Sequence, residues 1–221
     1  MSVRDLLKSM FTAIATILVV PALLSYWIRR PVLGANRALE GSSQSLSLIP
    51  GLVGQYLRRA FLQHVLAHCA STATIEFGTI FSQAGARIDA NAYVGPRCHI
   101  GLVHIERDVL IAAAVHIPSG AHTHDTRTSA VLIRDQVQHR RVVRIGAGSW
   151  IGSAAVVMAD IGSNTVVGAG AVVTKPLEDN VLAAGVPAHV VKRRMVPDAE
   201  RSVNESRAKR TGPPGTRSRT P

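Results

Sequence analysis

The chain of 221 residues is long enough for one compact domain with appendages, and 47% of its residues are hydrophobic while only 4% are aromatic. A core so poor in aromatic rings must be built from Val, Ile, Leu and Ala, which favours a narrow, repetitive interior over a broad sandwich. The net charge of +11 comes with no aromatic or recognition-helix pattern, which argues against nucleic acid as a partner.

Residues 10–28 form a run of 19 residues without a charged side chain, and basic residues flank the run on both sides. Its length is close to the ~20 residues that cross a bilayer as a helix. Tyr26 and Trp27 stand at one end, where an interfacial aromatic belt would put them. The run is long for a secretory signal, and no small-residue cleavage site follows it directly. We therefore expect residues 1–30 to be a membrane anchor, either spanning the bilayer or turned back at Pro21 as a re-entrant hairpin.

Residues 31–50 are rich in Ser, Gly and Pro and are predicted to be a linker. The following segment, residues 51–68, places apolar side chains close to helical spacing. These side chains are Leu52, Tyr56, Leu57, Phe61, Val65 and Leu66. Residues 31–70 are therefore expected to hold a linker and an amphipathic helix, which lies on the membrane surface or caps the open end of the next domain.

Beyond this helix the chain repeats with a period of six. Branched aliphatic residues recur at that spacing, apart from one step of five, one of four and one interruption: Ile88, Val94, Ile100, Ile105, Ile111, Ile117, Ile145, Ile151, Val157, Ile161, Val167 and Val173. Glycine directly follows several of them, at Gly95, Gly101, Gly146, Gly152, Gly162 and Gly168. A small or β-branched residue lies four positions after most of them, at Ala92, Val109, Val115, Ser149, Ala155, Thr165 and Ala171.

A helix repeats its apolar positions every three or four residues and a simple strand every two, so a period of six fits neither. It indicates a solenoid in which each coil is three short strands. The aliphatic side chain points inward, a small residue fills the second inward place, and glycine is expected at corners whose dihedrals a side chain would forbid. The predicted solenoid covers residues 71–175, with a loop insert at 118–143. A parallel sheet with crossovers would need helical segments that this pattern lacks.

These repeats, together with residues 143–194, resemble the left-handed parallel β-helix acyltransferases almost position by position in the final coils and closing segment. The stretch IEFGTIFSQAGARIDANAYVGPRCHIGLVHIERDVLI is further similar to sugar or polysaccharide O-acetyltransferases of that family. The resemblance implies an all-β fold, a left-handed parallel β-helix with a short closing segment at 176–195. It also implies acetyl-CoA as acyl donor without a metal, a sugar or polysaccharide acceptor, and a homotrimer with its active site between subunits. Because coenzyme A is cytoplasmic, we expect a membrane-associated protein whose catalytic domain faces the cytoplasm.

The insert carries His122, His124 and Asp125. Acyl transfer to a hydroxyl needs a base near the acceptor oxygen, and imidazole is suited to this near neutral pH. Asp125 or another carboxylate is expected to orient such an imidazole. Matching without gaps to the polysaccharide subgroup favours His124 as the base, whereas matching to the broader sugar acetyltransferases favours His122, so both remain candidates.

By the same resemblance, the donor would lie along the later coils. Backbone near Trp150 and near Gly168 would flank the pantetheine arm, and cationic side chains would approach the nucleotide phosphates. The predicted donor residues are Trp150, Gly152, Ala154, Gly168, Gly170, Ala171, Lys175 and Arg193.

Two other functions are compatible with a β-helix of this kind. One is a γ-carbonic-anhydrase-like zinc enzyme, for which His116 and His122 are the tempting ligands, although an insert interrupts the coils that would carry them. The other is a non-catalytic scaffold for polysaccharide assembly. O-acylation and N-acylation are both open, and so are the acyl group, acetyl or another short acyl, and the identity of the acceptor. The basic tail at 196–221 is predicted to be disordered, with attraction to anionic lipid or to coenzyme A phosphates as the alternative.

Overall fold

A computed structural model describes residues 3–121, 132–137 and 139–195 of the chain. Four helices come first and a three-sided β-solenoid follows. The helices are α1 (Val3–Leu18), α2 (Val20–Leu33), α3 (Ala35–Ser47) and α4 (Gly51–Val65). A single 3-10 turn, Ile133–Asp135, lies in the described part of the insert.

The solenoid strands form three sheets, one on each side of the prism, which we call faces A, B and C. Face A contains β1 (His68–Cys69), β4 (Arg87–Ile88), β7 (Val103–Ile105) and β10 (Val143–Ile145). Face B contains β2 (Thr74–Ile75), β5 (Tyr93–Val94), β8 (Leu110–Ile111), β11 (Trp150–Ile151), β13 (Val166–Val167), β15 (Val181–Ala184) and β16 (His189–Arg193). Face C contains β3 (Ile80–Phe81), β6 (His99–Ile100), β9 (His116–Ile117), β12 (Val156–Val157) and β14 (Val172–Val173).

Within each face the strands are parallel, apart from β16, which runs antiparallel to β15 and closes the end of the stack. Matching residues of successive coils lie side by side, as Val94, Ile111 and Ile151 do on face B. All the aliphatic residues of the predicted hexads are at most 2% exposed. The predicted parallel β-solenoid is therefore confirmed, and the period of six is the length of one side of the prism.

The predicted role of the corner glycines is wrong in its physical reason. Gly152 and Gly162 do not have positive φ; the left-handed residues are two positions later, at Ala154 (φ 58) and Asn164 (φ 53). A Cβ on Gly152 would lie 2.5 Å from the backbone nitrogen of Ala169 in the next coil, and one on Gly162 would be equally crowded. Glycine is needed there because successive coils approach closely, not because of the dihedral angles.

The predicted linker at 31–50 is also wrong, because α3 occupies most of it. Its buried face contains the apolar Leu39 and several small or polar residues, including Ala38, Ser42 and Ser43. The Ser43 hydroxyl accepts a hydrogen bond from the backbone N–H of Phe81 (2.9 Å), and the Asn36 carbonyl oxygen accepts one from Ala84 (3.0 Å). A serine-rich segment is helical here because its side chains pair with the otherwise free edge of face C.

The predicted amphipathic helix is present as α4, and it closes the N-terminal end of the solenoid. Arg58 is 2% exposed and donates hydrogen bonds to the carbonyl oxygens of Ile75 (3.0 Å), Leu46 (3.2 Å) and Ile49 (2.7 Å). Burial lowers the pKa of Arg58, and the nearby Glu76 carboxylate opposes that shift. One buried guanidinium thus joins α4, the turn after α3 and the first coil.

No single helix among the described residues is long and apolar enough to cross a membrane. Residues 8–18 and 20–33 meet the length and composition only as a pair, and this pair is bent by 46°. The α1 helix packs on α4 and the α2 helix on α3. The membrane anchor expected at 1–30 therefore stays a prediction.

Candidate active site

The insert leaves face C after β9 and returns at the start of β10 on face A. Its neck is closed by hydrogen bonds from the backbone N–H of Arg141 to Ser119 O (2.7 Å) and of Val143 to Leu102 O (3.0 Å). The Arg141 guanidinium also pairs with Asp160 in the following coil. The predicted catalytic residues His122, His124 and Asp125 lie outside the described residues.

A polar pocket of about 540 Å³ lies on one side of the neck, between α3 and the outer surface of face C. Its lining includes Asn36, Glu40, Ser82, Gln83, His99 and Arg140. Gln83 is only 8% exposed, and its side-chain amide has no hydrogen-bond partner among the described residues. The Gln83 amide atoms are not sealed from solvent and line the pocket, so they offer a hydrogen-bond donor and an acceptor to a ligand with hydroxyl groups.

A second pocket, of about 420 Å³, lies on the other side of the neck, towards the last coils. Its lining includes His139, Arg140, Arg141, Met158, Thr174 and Lys175. Basic side chains therefore surround it, as a site for phosphate groups requires. Arg140 lines both pockets, so they meet at the root of the insert.

The predicted donor residues do not form one cluster within the chain. Trp150, half exposed on face B, lies beside the edge between faces B and C. At that edge are also Gly152, Ala154, Gly168, Gly170 and Ala171, the last with its side chain buried. Lys175 lies instead at the edge between faces C and A, in the basic pocket. Arg193, on β16, pairs with Glu178 (2.7 Å) at a third position.

The remaining histidines have local surroundings of their own. His99 and His116 lie side by side on the outer surface of face C, with ring centroids 5.9 Å apart. The imidazole of His104 is 2.9 Å from the Asp89 carboxylate on face A. Within residues 3–121, 132–137 and 139–195, no three His, Cys, Asp or Glu side chains are grouped as metal ligands.

The sequence did not point to the polar pocket, because α3 was taken for a linker. The usable signal was the spacing of Ala38, Leu39, Ser42 and Ser43, which lie three to four residues apart on one face of a helix. Gln83 had no such signal. Its burial depends on a helix that is distant in sequence.

No protein-family model matches the chain. It is 29% identical to galactoside O-acetyltransferase of Escherichia coli over 169 residues, covering 64% of this chain and 80% of that one. It is 33% identical over 141 residues to a putative lipopolysaccharide biosynthesis O-acetyltransferase of the same organism, covering 54% of this chain and 72% of the relative. The crystal structure of a galactoside acetyltransferase in complex with coenzyme A superposes with a TM-score of 0.63 and 25% identity, covering 76% and 86% of the two chains.

Proposed function

This chain belongs to the hexapeptide-repeat acetyltransferases, which use acetyl-CoA as the donor, and we propose that it acetylates a hydroxyl group of a sugar at the neck of its insert. The observation that carries this proposal is the meeting of two unlike pockets at Arg140. One is basic and fits a phosphate-bearing donor, and the other is polar and holds the unpaired Gln83 amide. The family assignment favours this reaction over the zinc enzyme and the scaffold.

In the proposed reaction, a histidine of the insert accepts the proton of the acceptor hydroxyl as its oxygen attacks the thioester carbonyl. The same imidazolium then returns the proton to the departing thiol sulfur, so the histidine is unchanged after one turnover. Either His122 or His124 fills this role, and Asp125 orients the ring. A backbone N–H near the neck supplies the hydrogen bond that the developing oxyanion needs.

The donor is proposed to lie with its phosphates near Lys175 and Arg193 and its pantetheine arm along Trp150 and the edge between faces B and C. These groups lie apart in one chain, and a homotrimer of left-handed coils would bring the edge of one subunit against the basic pocket of the next. Their separation within a single chain supports this assembly.

The acceptor is proposed to be the sugar of a polysaccharide or lipopolysaccharide precursor. Its support is the likeness to a putative lipopolysaccharide biosynthesis O-acetyltransferase and the apolar N-terminal run. We propose that the protein associates with the membrane and keeps its catalytic domain on the cytoplasmic side, where acetyl-CoA is available.

The proposal is tested by incubating the full chain with acetyl-CoA and either galactosides or nucleotide-linked sugars while free thiol is followed. His122→Ala and His124→Ala are compared with wild type and with the control His68→Ala, on face A away from both pockets. Loss of the base is expected to lower kcat by about 10²–10⁴-fold. The base assignment is wrong if both insert variants turn over like wild type, and the acceptor class is wrong if no sugar supports acetyl-dependent thiol release.

A further inference from the structure

The α1–α2 pair has one face packed on the protein and the opposite face exposed. Ala15, Val19 and Tyr26 on the packed face are at most 3% exposed. Other large apolar side chains of the pair are 44–72% exposed: Ile17, Leu24, Trp27 and Ile28 lie outside the groove between α1 and α4, and Phe11 and Ile14 line it. An exposed apolar surface of this extent is characteristic of contact with a membrane or another protein.

The geometry of the pair does not suit a helix that crosses the bilayer. The 16 residues of α1 extend about 24 Å, less than the ~30 Å of a hydrocarbon core. A spanning pair would be surrounded by lipid, whereas here one face is held against α3 and α4 and the pair is bent by 46°. This arrangement suits embedding in one leaflet, with the packed face turned towards the solenoid.

A second polar pocket, distinct from the one on face C, lies next to an apolar groove beside α1. We call it the N-terminal pocket. The apolar groove, about 480 Å³, lies between α1 and α4 and is lined by Phe11, Ile14 and Leu18. The N-terminal pocket, about 720 Å³, lies between α1, α4 and the first coils and contains Lys8, Gln55 and Arg59. Leu52 and Tyr56 line both, so the two are continuous, and no acidic side chain lines either.

Arg59 is the residue that makes the N-terminal pocket a candidate binding site for an anion. Its guanidinium lies 4.6 Å from the centre of the Tyr56 ring, and one terminal nitrogen donates to Ala73 O at 3.3 Å. Its Nε atom is buried and has no hydrogen-bond partner among the described residues. A guanidinium held in this way presents its remaining donors to an anion, and phosphate is the anion that fits its fork.

Because the N-terminal pocket and the apolar groove are continuous, we propose that α1 and α2 are embedded in one leaflet of the bilayer. The helices α1–α4, which we call the cap, hold an anionic phospholipid there. The phosphate of the headgroup binds at Arg59 and Lys8, and an acyl chain lies in the groove between α1 and α4. This inference deepens the proposed membrane association and does not depend on the acetyl-transfer reaction. The lipid is not the acceptor, because the acceptor pocket lies on face C whereas Thr72 and Asn91 place this site at the edge between faces A and B.

The headgroup site is tested by co-sedimentation of the full chain with vesicles of phosphatidylcholine alone or mixed with phosphatidylglycerol. Wild type is expected to prefer the anionic vesicles. Arg59→Gln is expected to reduce that preference about fivefold, the effect of one basic residue beside an anionic surface, and Arg59→Lys to retain it. Arg87→Gln, which removes a charge from the exposed outer surface of face A outside this pocket, is the matched control. Equal preference in Arg59→Gln and wild type would overturn the site.

The apolar face is tested with Ile28→Asn, which is expected to weaken binding to both kinds of vesicle about tenfold because one large side chain no longer enters the hydrocarbon. Leu110→Asn, at an exposed leucine of the solenoid, should leave binding unchanged. Acetyl transfer to a soluble sugar is followed in parallel and should be unaffected by Ile28→Asn and Arg59→Gln, so failure of this inference is separable from failure of the proposed function. If wild type ignores vesicles and forms an oligomer that Ile28→Asn dissolves, the face binds a second chain and the proposal is wrong.

Embedding in one leaflet also predicts that both ends of the pair lie on the same side of the bilayer as the solenoid. Ser2→Cys and Arg107→Cys are prepared separately in the full chain and exposed to an impermeant maleimide in sealed membrane vesicles. The native Cys69 and Cys98 are buried, and burial raises the pKa of Cys69 to about 12, so the introduced thiol gives the signal. The two variants should be labelled to the same extent relative to detergent-opened vesicles. Protection of only one of them would show a spanning anchor and overturn the proposal.

Discussion

The helical cap and the solenoid are stabilised in different ways. In the solenoid, every coil repeats the same contacts, so Val94, Ile111 and Ile151 occupy equivalent places in successive coils. In the cap, contacts occur once each: Arg58 joins three carbonyl oxygens, and Tyr26 meets Phe61 edge to face with centroids 6.2 Å apart. Stability of the solenoid is therefore spread over many similar contacts, whereas that of the cap depends on a few.

The difference matters for function, because the two pockets at the neck take their walls from different regions. The basic pocket is built from the solenoid and the insert alone. The polar pocket needs α3, through Asn36 and Glu40. Damage to the cap should therefore affect the acceptor more than the donor. Four substitutions test whether the cap and the solenoid are stabilised in these different ways.

The largest effect is expected in the cap, from Arg58→Met. The carbonyl oxygens of Leu46, Ile49 and Ile75 would lose their buried donor, at a cost of about 4 kcal/mol in the free energy of unfolding. Chemical denaturation followed by circular dichroism measures this loss, with Arg107→Met as the surface control. A change below ~1 kcal/mol would mean that the cap does not depend on this single residue.

A somewhat smaller effect is expected in the solenoid, from Ile111→Ala. Ile111 is fully buried between equivalent residues of two coils, and the cavity should cost about 3 kcal/mol. Amide exchange should rise in the coils next to β8 more than in α1–α4, since each coil depends on its neighbours. Leu110→Ala, on the same strand but 45% exposed, should be nearly neutral. Equal losses for the two variants would contradict the inward and outward assignment.

A third, smaller effect concerns the hydroxyl groups inside the corners. The Thr165 hydroxyl is buried, donates to Glu178 O (2.6 Å) and accepts from the Val181 N–H (3.3 Å). Thr165→Val should cost about 1.5 kcal/mol, because both backbone groups lose their partner. Thr165→Ser keeps the hydroxyl and should recover most of this loss. Thermal unfolding of the two variants measures the difference, and identical melting would show that the hydroxyl contributes nothing.

The smallest effect is a pH dependence at an ion pair on the outside of face A. Burial alone raises the pKa of Glu106, but hydrogen bonds from Arg144 (2.5 Å) and the Ala147 N–H (3.0 Å) outweigh it and hold this pKa below 4.5. The ion pair therefore stabilises the fold above pH 4.5, by less than ~1 kcal/mol, and this stability is lost as the pH falls through the folded-state pKa. The difference in unfolding free energy between wild type and Glu106→Gln should shrink on acidification, and a constant difference would contradict the assignment.

The solenoid could be predicted from the sequence because each of its constraints is local and repeated. The inward aliphatic residue, the glycine directly after it and the small residue four positions after it occur in coil after coil. This repetition excludes a chance match to the solenoid pattern. Even so, glycine was assigned the wrong reason, because the close approach of Gly152 to Ala169 lies between coils and cannot be seen in one repeat.

The cap and half of the site could not be predicted in this way. The serines of α3 are indistinguishable in composition from those of a linker, and only the free edge of face C makes them helix-forming. Lys175 was predicted from the family resemblance and lines the basic pocket, whereas Gln83 belongs to no motif and its burial depends on where α3 lies. In this chain, residues of the pocket formed by the repeat could be predicted from the sequence, whereas those of the pocket formed between the repeat and α3 could not.

The central claim is that a donor pocket and an acceptor pocket meet at the neck of the insert. Steady-state kinetics of acetyl transfer to a sugar, with each substrate varied in turn, test it most directly in Lys175→Met and Gln83→Leu. Lys175→Met should raise the KM for acetyl-CoA with little change for the acceptor, and Gln83→Leu should raise the acceptor KM with little change for acetyl-CoA. If both variants raise the same KM, or neither raises any, the two pockets are not the two substrate sites.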